Sequence, residues 1–145
     1  MTPELDYITI KGFKSLASVE KLKLTPINVV IGPNGAGKSN LIEVFSFLHS
    51  IGEGHLQDYV GKAGGAEKLL HFGSKVTGRI EIHLSFSEET NQYRLILEPT
   101  ADDGLYRTLE ARRVQPAGLP LPFAGEISVS LSQHLPNGAY DSPVF

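Results

Sequence analysis

The run Gly32-Pro33-Asn34-Gly35-Ala36-Gly37-Lys38-Ser39 constrains this chain more than any other feature. The pattern Gly-x-x-x-x-Gly-Lys-Ser/Thr turns successive backbone N–H groups inward around phosphate oxygens, which needs backbone conformations and a closeness of approach that side chains obstruct. Gly32, Gly35 and Gly37 supply that freedom. Lys38 brings a positive charge toward β- and γ-phosphates, and the Ser39 hydroxyl is a ligand for Mg²⁺. A helix starting here aims its partially positive N-terminus at the anion. A plain surface turn rich in glycine is the alternative, and it leaves the apolar run before the loop and the helical run after it unexplained. Asn34 and Asn40 flank the lysine, and each either bonds a phosphate oxygen or caps the loop and helix.

The flanking pattern supplies the rest of a strand, loop and helix unit. Ile27-Asn28-Val29-Val30-Ile31 is a nearly continuous β-branched run, expected to be a strand buried on both faces. After Lys38 the period becomes helical, with Leu41, Ile42, Val44, Phe45, Leu48 and Ile51 as the apolar stripe and Gly52 placed to end it. Upstream, Leu5 to Phe13 reads as a strand with a bend at Gly12, and Lys21 to Thr25 alternates again. Residues 53–78 are punctuated by glycine and read as a connector, with room for a short helix from Glu67 to Phe72. Arg79 to Phe86, Gln92 to Leu97, Tyr106 to Ala111 and Glu126 to Leu131 then form an expected antiparallel meander, with Gln115 to Gly125 a proline-rich loop.

A chain of 145 residues, 41% of them hydrophobic, can bury one domain's core. Its formal net charge of -3 gives no electrostatic case for wrapping nucleic acid or adhering to an anionic membrane. Cysteine is absent, so disulfides and thiolate metal sites are excluded. No basic start followed by an apolar run and no stretch of membrane-spanning length appears, and the expected location is cytoplasmic.

Other candidate chemistry is weaker. Leu95-Ile96-Leu97-Glu98-Pro99-Thr100 is close to a Walker B strand ending in Asp-Glu-Pro-Thr, but Leu97 stands at the aspartate. Such a pair needs one carboxylate for the Mg²⁺ shell and one for water, so the segment reads as an antiparallel strand ending at proline. His49, His55, His71, His83 and His134 lack paired ligand spacing. Glu88-Glu89 and Asp102-Asp103 read as solvated turns. No catalytic residue is identified.

Ile8-Thr9-Ile10-Lys11-Gly12-Phe13-Lys14-Ser15-Leu16, followed by the run from Ile27 to Glu43, resembles the N-terminus of ABC-type ATPases of the RecF, chromosome-maintenance and OLD kind, and more closely the bacterial predicted AAA-type ATPases of that superfamily. The resemblance continues through Gly64-Gly65, Leu69-Leu70-His71-Phe72-Gly73 and the strands from Ile80 to Leu109. It implies an α/β fold: an incomplete, ABC-like P-loop NTPase core with an antiparallel β accessory subdomain. Residues 1–145 would be the N-terminal portion of one head domain. Within it, 1–52 would hold the strands, P-loop and first helix, 53–78 the connector and 79–145 the β-rich part. It also implies ATP and Mg²⁺ as cofactors, a basic residue at Lys14 approaching the nucleotide, a second ATPase head as partner in a homodimer, and work on DNA or in defence against phage. The family's signature sequence, Walker B pair and switch histidine are not identifiable here, so the chain is expected to bind ATP and not to hydrolyse it alone. Gln92, Gln115 and Gln133 are each conceivable as the family's Mg²⁺-sensing glutamine.

Two further readings stand beside this one. A nucleotide-dependent interaction module without turnover is compatible with the missing carboxylates. A small P-loop metabolite kinase would place the loop after the first strand and need an arginine-bearing lid, whereas at least two strands precede the loop here and Arg112-Arg113 is the only arginine pair.

Overall fold

The computed structural model describes residues 4–113 and 127–133, with side chains described up to Leu109. The elements in chain order are β1 (Leu5–Phe13), β2 (Leu16–Lys23), α1 (Lys38–Gly52), α2 (Leu56–Ala63), α3 (Ala66–Leu69), β3 (Ile80–Phe86), β4 (Asn91–Pro99), β5 (Leu105–Arg113) and β6 (Ile127–Gln133). The strands form one sheet in the order β2-β1-β3-β4-β5-β6, and every pairing is antiparallel.

A single aliphatic row fixes the register. Val19 pairs with Ile10, Ile10 with Ile82, Ile82 with Leu95, Leu95 with Leu109, and Leu109 with the position of Leu131. Directly paired residues share a face, so a one-residue slip of any strand would turn its part of this row to the opposite side. Ile10, Ile82 and Leu95 join a core completed by Val44, Phe47 and Ile51 of α1, Leu56 and Val60 of α2, and Leu69. Phe47 stacks on Phe13 of β1 with ring centroids 5.3 Å apart and meets Tyr59 of α2 at 5.1 Å. The Arg107 guanidinium of β5 donates to the Ile51 carbonyl at 3.1 Å, satisfying one of the free acceptors at the end of α1.

The expected meander is present: β3 begins one residue later than the sequence reading, at Ile80, while β4 and β5 each extend beyond it by one to two residues at either end. Five expectations need correction. Ile27 to Ile31 is not a strand: Ile27 is 83% exposed, Val29 77% and Ile31 89%. An apolar strand buried on both faces needs parallel neighbours and covering layers, and the described sheet contains no parallel pair. Asn28 instead closes a local turn, accepting from the Thr25 N–H at 3.0 Å and donating to the Thr25 carbonyl at 2.6 Å. Ile42 and Phe45, expected on the inner stripe of α1, are exposed, whereas Val44, Phe47 and Ile51 face the sheet. The 53–78 connector holds two helices. In α2, Leu56 and Val60 lie one turn apart on a buried face, and Gly64 ends the helix in the left-handed conformation. The expected helix from Glu67 to Phe72 is the shorter α3, ending where Leu70 turns extended and bridges to Phe13. The strand expected to begin at Lys21 begins at Leu16, and its outer end is Lys23. The expected loop from Gln115 to Gly125 lies outside the described residues.

Candidate nucleotide site

The glycine loop leads into α1 through Gly37, which has φ 94° and is followed by the first helical hydrogen bond, Leu41 N–H to the Gly37 carbonyl at 2.9 Å. A Cβ at Gly37 would stand 3.0 Å from Ser15 Oγ and 3.2 Å from Leu16 Cδ2, so a side chain there would crowd the β1–β2 turn. No side chain caps the helix start, and its first N–H groups stay available to an anion. Lys38 Nζ folds back over the loop and donates to the carbonyls of Gly32 and Pro33. The Ala36 N–H closes a turn onto the Pro33 carbonyl at 3.2 Å. Gly32, Pro33, Asn34, Gly35, Ala36 and Ser39 are exposed, while Gly37, Lys38 and Asn40 are half-buried. Asn40 does not cap the helix: its Nδ2 donates to Ser15 Oγ at 2.6 Å.

These residues fit a triphosphate with its metal. No side chain caps the helix start, the lysine is held only by main-chain oxygens that a stronger anion can replace, and the Ser39 hydroxyl is accessible. The amides from Asn34 to Ser39 and Lys38 would hold phosphate, and Ser39 would hold Mg²⁺, which when bound neutralises phosphate charge.

Lys14 sits in the β1–β2 turn with φ 48°. Its N–H donates to the Leu69 carbonyl at 2.8 Å, and its own carbonyl lies 2.6 Å from His71 Nδ1. Its ammonium meets Glu43 of α1, with Nζ 2.5 Å from Oε1, and the Tyr59 hydroxyl donates to the same oxygen at 2.8 Å. Burial raises the Glu43 pKa, but the bonds from Lys14 and Tyr59 and the Lys14 charge outweigh it and leave the carboxyl below its usual range. Burial and the neighbouring carboxylate push the Tyr59 phenol well above its own. Neither Glu43 nor Tyr59 stands out in the sequence, because they lie 29 and 45 residues from Lys14 and no local pattern links them.

The remaining candidates stay apart from the loop. Leu97 is fully buried in β4 opposite Ile80, Glu98 is exposed, and β3 separates β4 from β1. The Gln92 amide bonds back within its own turn to the Glu89 carbonyl at 3.4 Å. Gln115 lies outside the described residues, as does the side chain of Gln133. Asp103 is more than a solvated turn residue: its carboxylate accepts from the Glu67 N–H at 3.0 Å and its carbonyl from the Ala66 N–H at 2.8 Å, tethering α3 to the β4–β5 turn. No group of three histidine, aspartate or glutamate side chains among the described residues is placed to hold a metal ion.

Residues 27–130 match the protein family described as "AAA domain, putative AbiEii toxin, Type IV TA system". The chain belongs to this family. This AAA-domain chain is also 37% identical over 95 residues to the chromosome partition protein Smc of Desulfitobacterium hafniense, covering 63% of the chain and 8% of Smc. It is 29% identical over 94 residues to the DNA replication and repair protein RecF of Lacticaseibacillus casei, covering 65% of the chain and 23% of RecF. The DNA double-strand break repair Rad50 ATPase of Saccharolobus solfataricus is 32% identical over 94 residues, covering 63% of the chain and 11% of that protein. The AAA-domain chain thus spans at most about a quarter of these relatives. No solved structure matches it. The resemblance read from the glycine loop and its flanking strands to an ABC-type AAA ATPase is borne out. No helix among the described residues is long and apolar enough to cross a membrane.

Proposed function

We propose that the chain binds ATP with Mg²⁺ through Gly32 to Ser39 as the N-terminal portion of an ABC-type ATPase head, with 1–52 carrying the loop and 79–145 the β-rich part. The observation that carries this reading is the left-handed Gly37 at an uncapped helix start, with Lys38 folded across the loop on main-chain oxygens alone. Asn34 remains free in this reading to bond phosphate, whereas Asn40 braces the loop through Ser15. Hydrolysis requires a carboxylate that orients water and a second head that closes over the nucleotide. The names of the relatives point to work on DNA, the family description to a toxin–antitoxin role, and a cytoplasmic location suits both. A module that binds nucleotide and never turns it over is the second reading.

Titration of a fluorescent ATP analogue with Mg²⁺ into wild-type and Lys38→Ala protein tests the binding claim. Saturable binding that is lost or greatly weakened in Lys38→Ala is expected, with unchanged circular dichroism. Equal affinity in both proteins would remove the claim.

A further inference from the structure

We infer that Glu43 is a positioning residue that holds the Lys14 ammonium in reserve beside the glycine loop, and that a bound nucleoside triphosphate takes Lys14 from it. This rests on the proposed nucleotide site and identifies a control on that site which the loop motif does not contain.

The geometry begins at the β1–β2 turn. Ser15 is fastened to the first turn of α1 by Asn40 and stands against Gly37, so the turn carrying Lys14 is anchored at the mouth of the loop. Lys14 itself is pinned at both ends of its backbone, through Leu69 and His71, leaving its side chain as the mobile part. That side chain reaches Glu43, which lies four residues beyond Ser39 and one helical turn down the helix that starts at the loop. In this arrangement the ammonium is neutralised by Glu43 and offers little attraction to a phosphate. The pair is only half-buried, with side chains 23% and 32% exposed, so solvent weakens it and a triphosphate carrying several negative charges can compete for the cation. Tyr59 keeps the carboxylate fixed when the lysine leaves, because its hydroxyl goes on donating to the same oxygen. Lys38 follows the same logic: it too is parked on internal acceptors that are weaker partners than phosphate.

The exchange predicts a direction that a merely structural ion pair does not. Removing the Glu43 charge should release Lys14 and tighten nucleotide binding, although the residue lies outside the loop. Affinities for MgATP, MgADP and AMP are measured on wild-type, Glu43→Gln, Lys14→Met and Glu43→Gln/Lys14→Met protein, with Lys38→Ala as the loop control. The expected result is MgATP binding about fivefold tighter in Glu43→Gln, a smaller gain for MgADP and none for AMP. The gain should vanish in the Lys14→Met background. Lys14→Met alone should weaken MgATP binding and lower its salt dependence, which keeps the proposal testable if Glu43→Gln does not fold. MgATP binding that needs Lys38 but is unchanged or weakened by Glu43→Gln overturns the exchange and leaves the loop reading intact. So does a gain that persists without Lys14, or a Lys14→Met protein that binds like wild type. Failure of wild-type protein to bind MgATP overturns the loop reading and the exchange with it.

Discussion

Asn40 donates a hydrogen bond from Nδ2 to Ser15 Oγ at 2.6 Å, and through it the first turn of the helix after the glycine loop is tied to the turn between the first two strands. The same Ser15 oxygen would press against a side chain at Gly37. The loop's shape is therefore set by a contact 22 residues away in sequence as well as by its own glycines.

Gly37→Ala is expected to destabilise the chain by about 1–2 kcal/mol from the left-handed backbone alone, with the Ser15 and Leu16 contacts adding to it. Urea unfolding followed by circular dichroism measures the loss. A midpoint unchanged from wild type would show that the loop adopts another conformation in solution.

The Glu43 and Glu81 carboxyls give the chain an acid-sensitive term. In each, burial raises the pKa, but bonded donors more than compensate: the Lys14 ammonium and the Tyr59 hydroxyl for Glu43, and the Arg94 and Arg79 guanidinium groups for Glu81. Both carboxyls titrate below the ordinary glutamate range when folded, so their contribution is complete above that range and is lost as pH falls through the lower folded values. The urea midpoint is expected to fall between about pH 5 and pH 3, and to fall less steeply in Glu43→Gln/Glu81→Gln. An equally steep decline in the double variant would assign the acid sensitivity elsewhere.

Exposed apolar residues before the loop give a third test. Ile31 is 89% exposed and Ile27 83%, so Ile27→Lys/Ile31→Lys should cost little stability, within about 0.5 kcal/mol per site. It should also reduce self-association in light scattering, because a large apolar patch is removed. A loss of several kcal/mol in the folded chain would show that this segment is a buried strand after all.

What could be read from the residues follows the range of the forces involved. The loop and the start of α1 are legible because every element of the motif lies within eight consecutive residues, Gly32 to Ser39. The strands β3, β4 and β5 are legible because alternation along each one is local. The segment Ile27 to Ile31 misleads because its composition reports what would suit a buried strand, whereas pairing depends on neighbours that the described sheet does not supply. Ile42 and Phe45 mislead for a related reason: periodicity marks an apolar face broader than the one the sheet covers. In α2, the glycines at 61, 64 and 65 obscured a helix whose buried Leu56 and Val60 and left-handed Gly64 are individually ordinary signals. The joining of Lys14, Glu43 and Tyr59 has no local signature at all.

The last expectation concerns chemistry. The chain alone should show no ATP hydrolysis above background, because its loop amides, Lys38 and Ser39 can place phosphate and metal but no identified carboxylate orients a water for in-line attack. Glu98 is the nearest imitation of such a group in sequence, yet it lies on an exposed position of β4, paired across from Tyr106, with a buried leucine where the metal-binding aspartate would be. Glu98→Gln should therefore leave nucleotide affinity and any turnover of a complete ATPase close to wild type. Steady-state phosphate release by purified chain, with Lys38→Ala as the contamination control, tests the first point. Addition of a protein segment carrying an ABC signature and Walker B pair tests whether those parts restore turnover. Robust release by the chain alone, abolished by Lys38→Ala, would show that a complete active site lies among residues assigned here to structure. Release abolished by Glu98→Gln as well would identify Glu98 as its carboxylate.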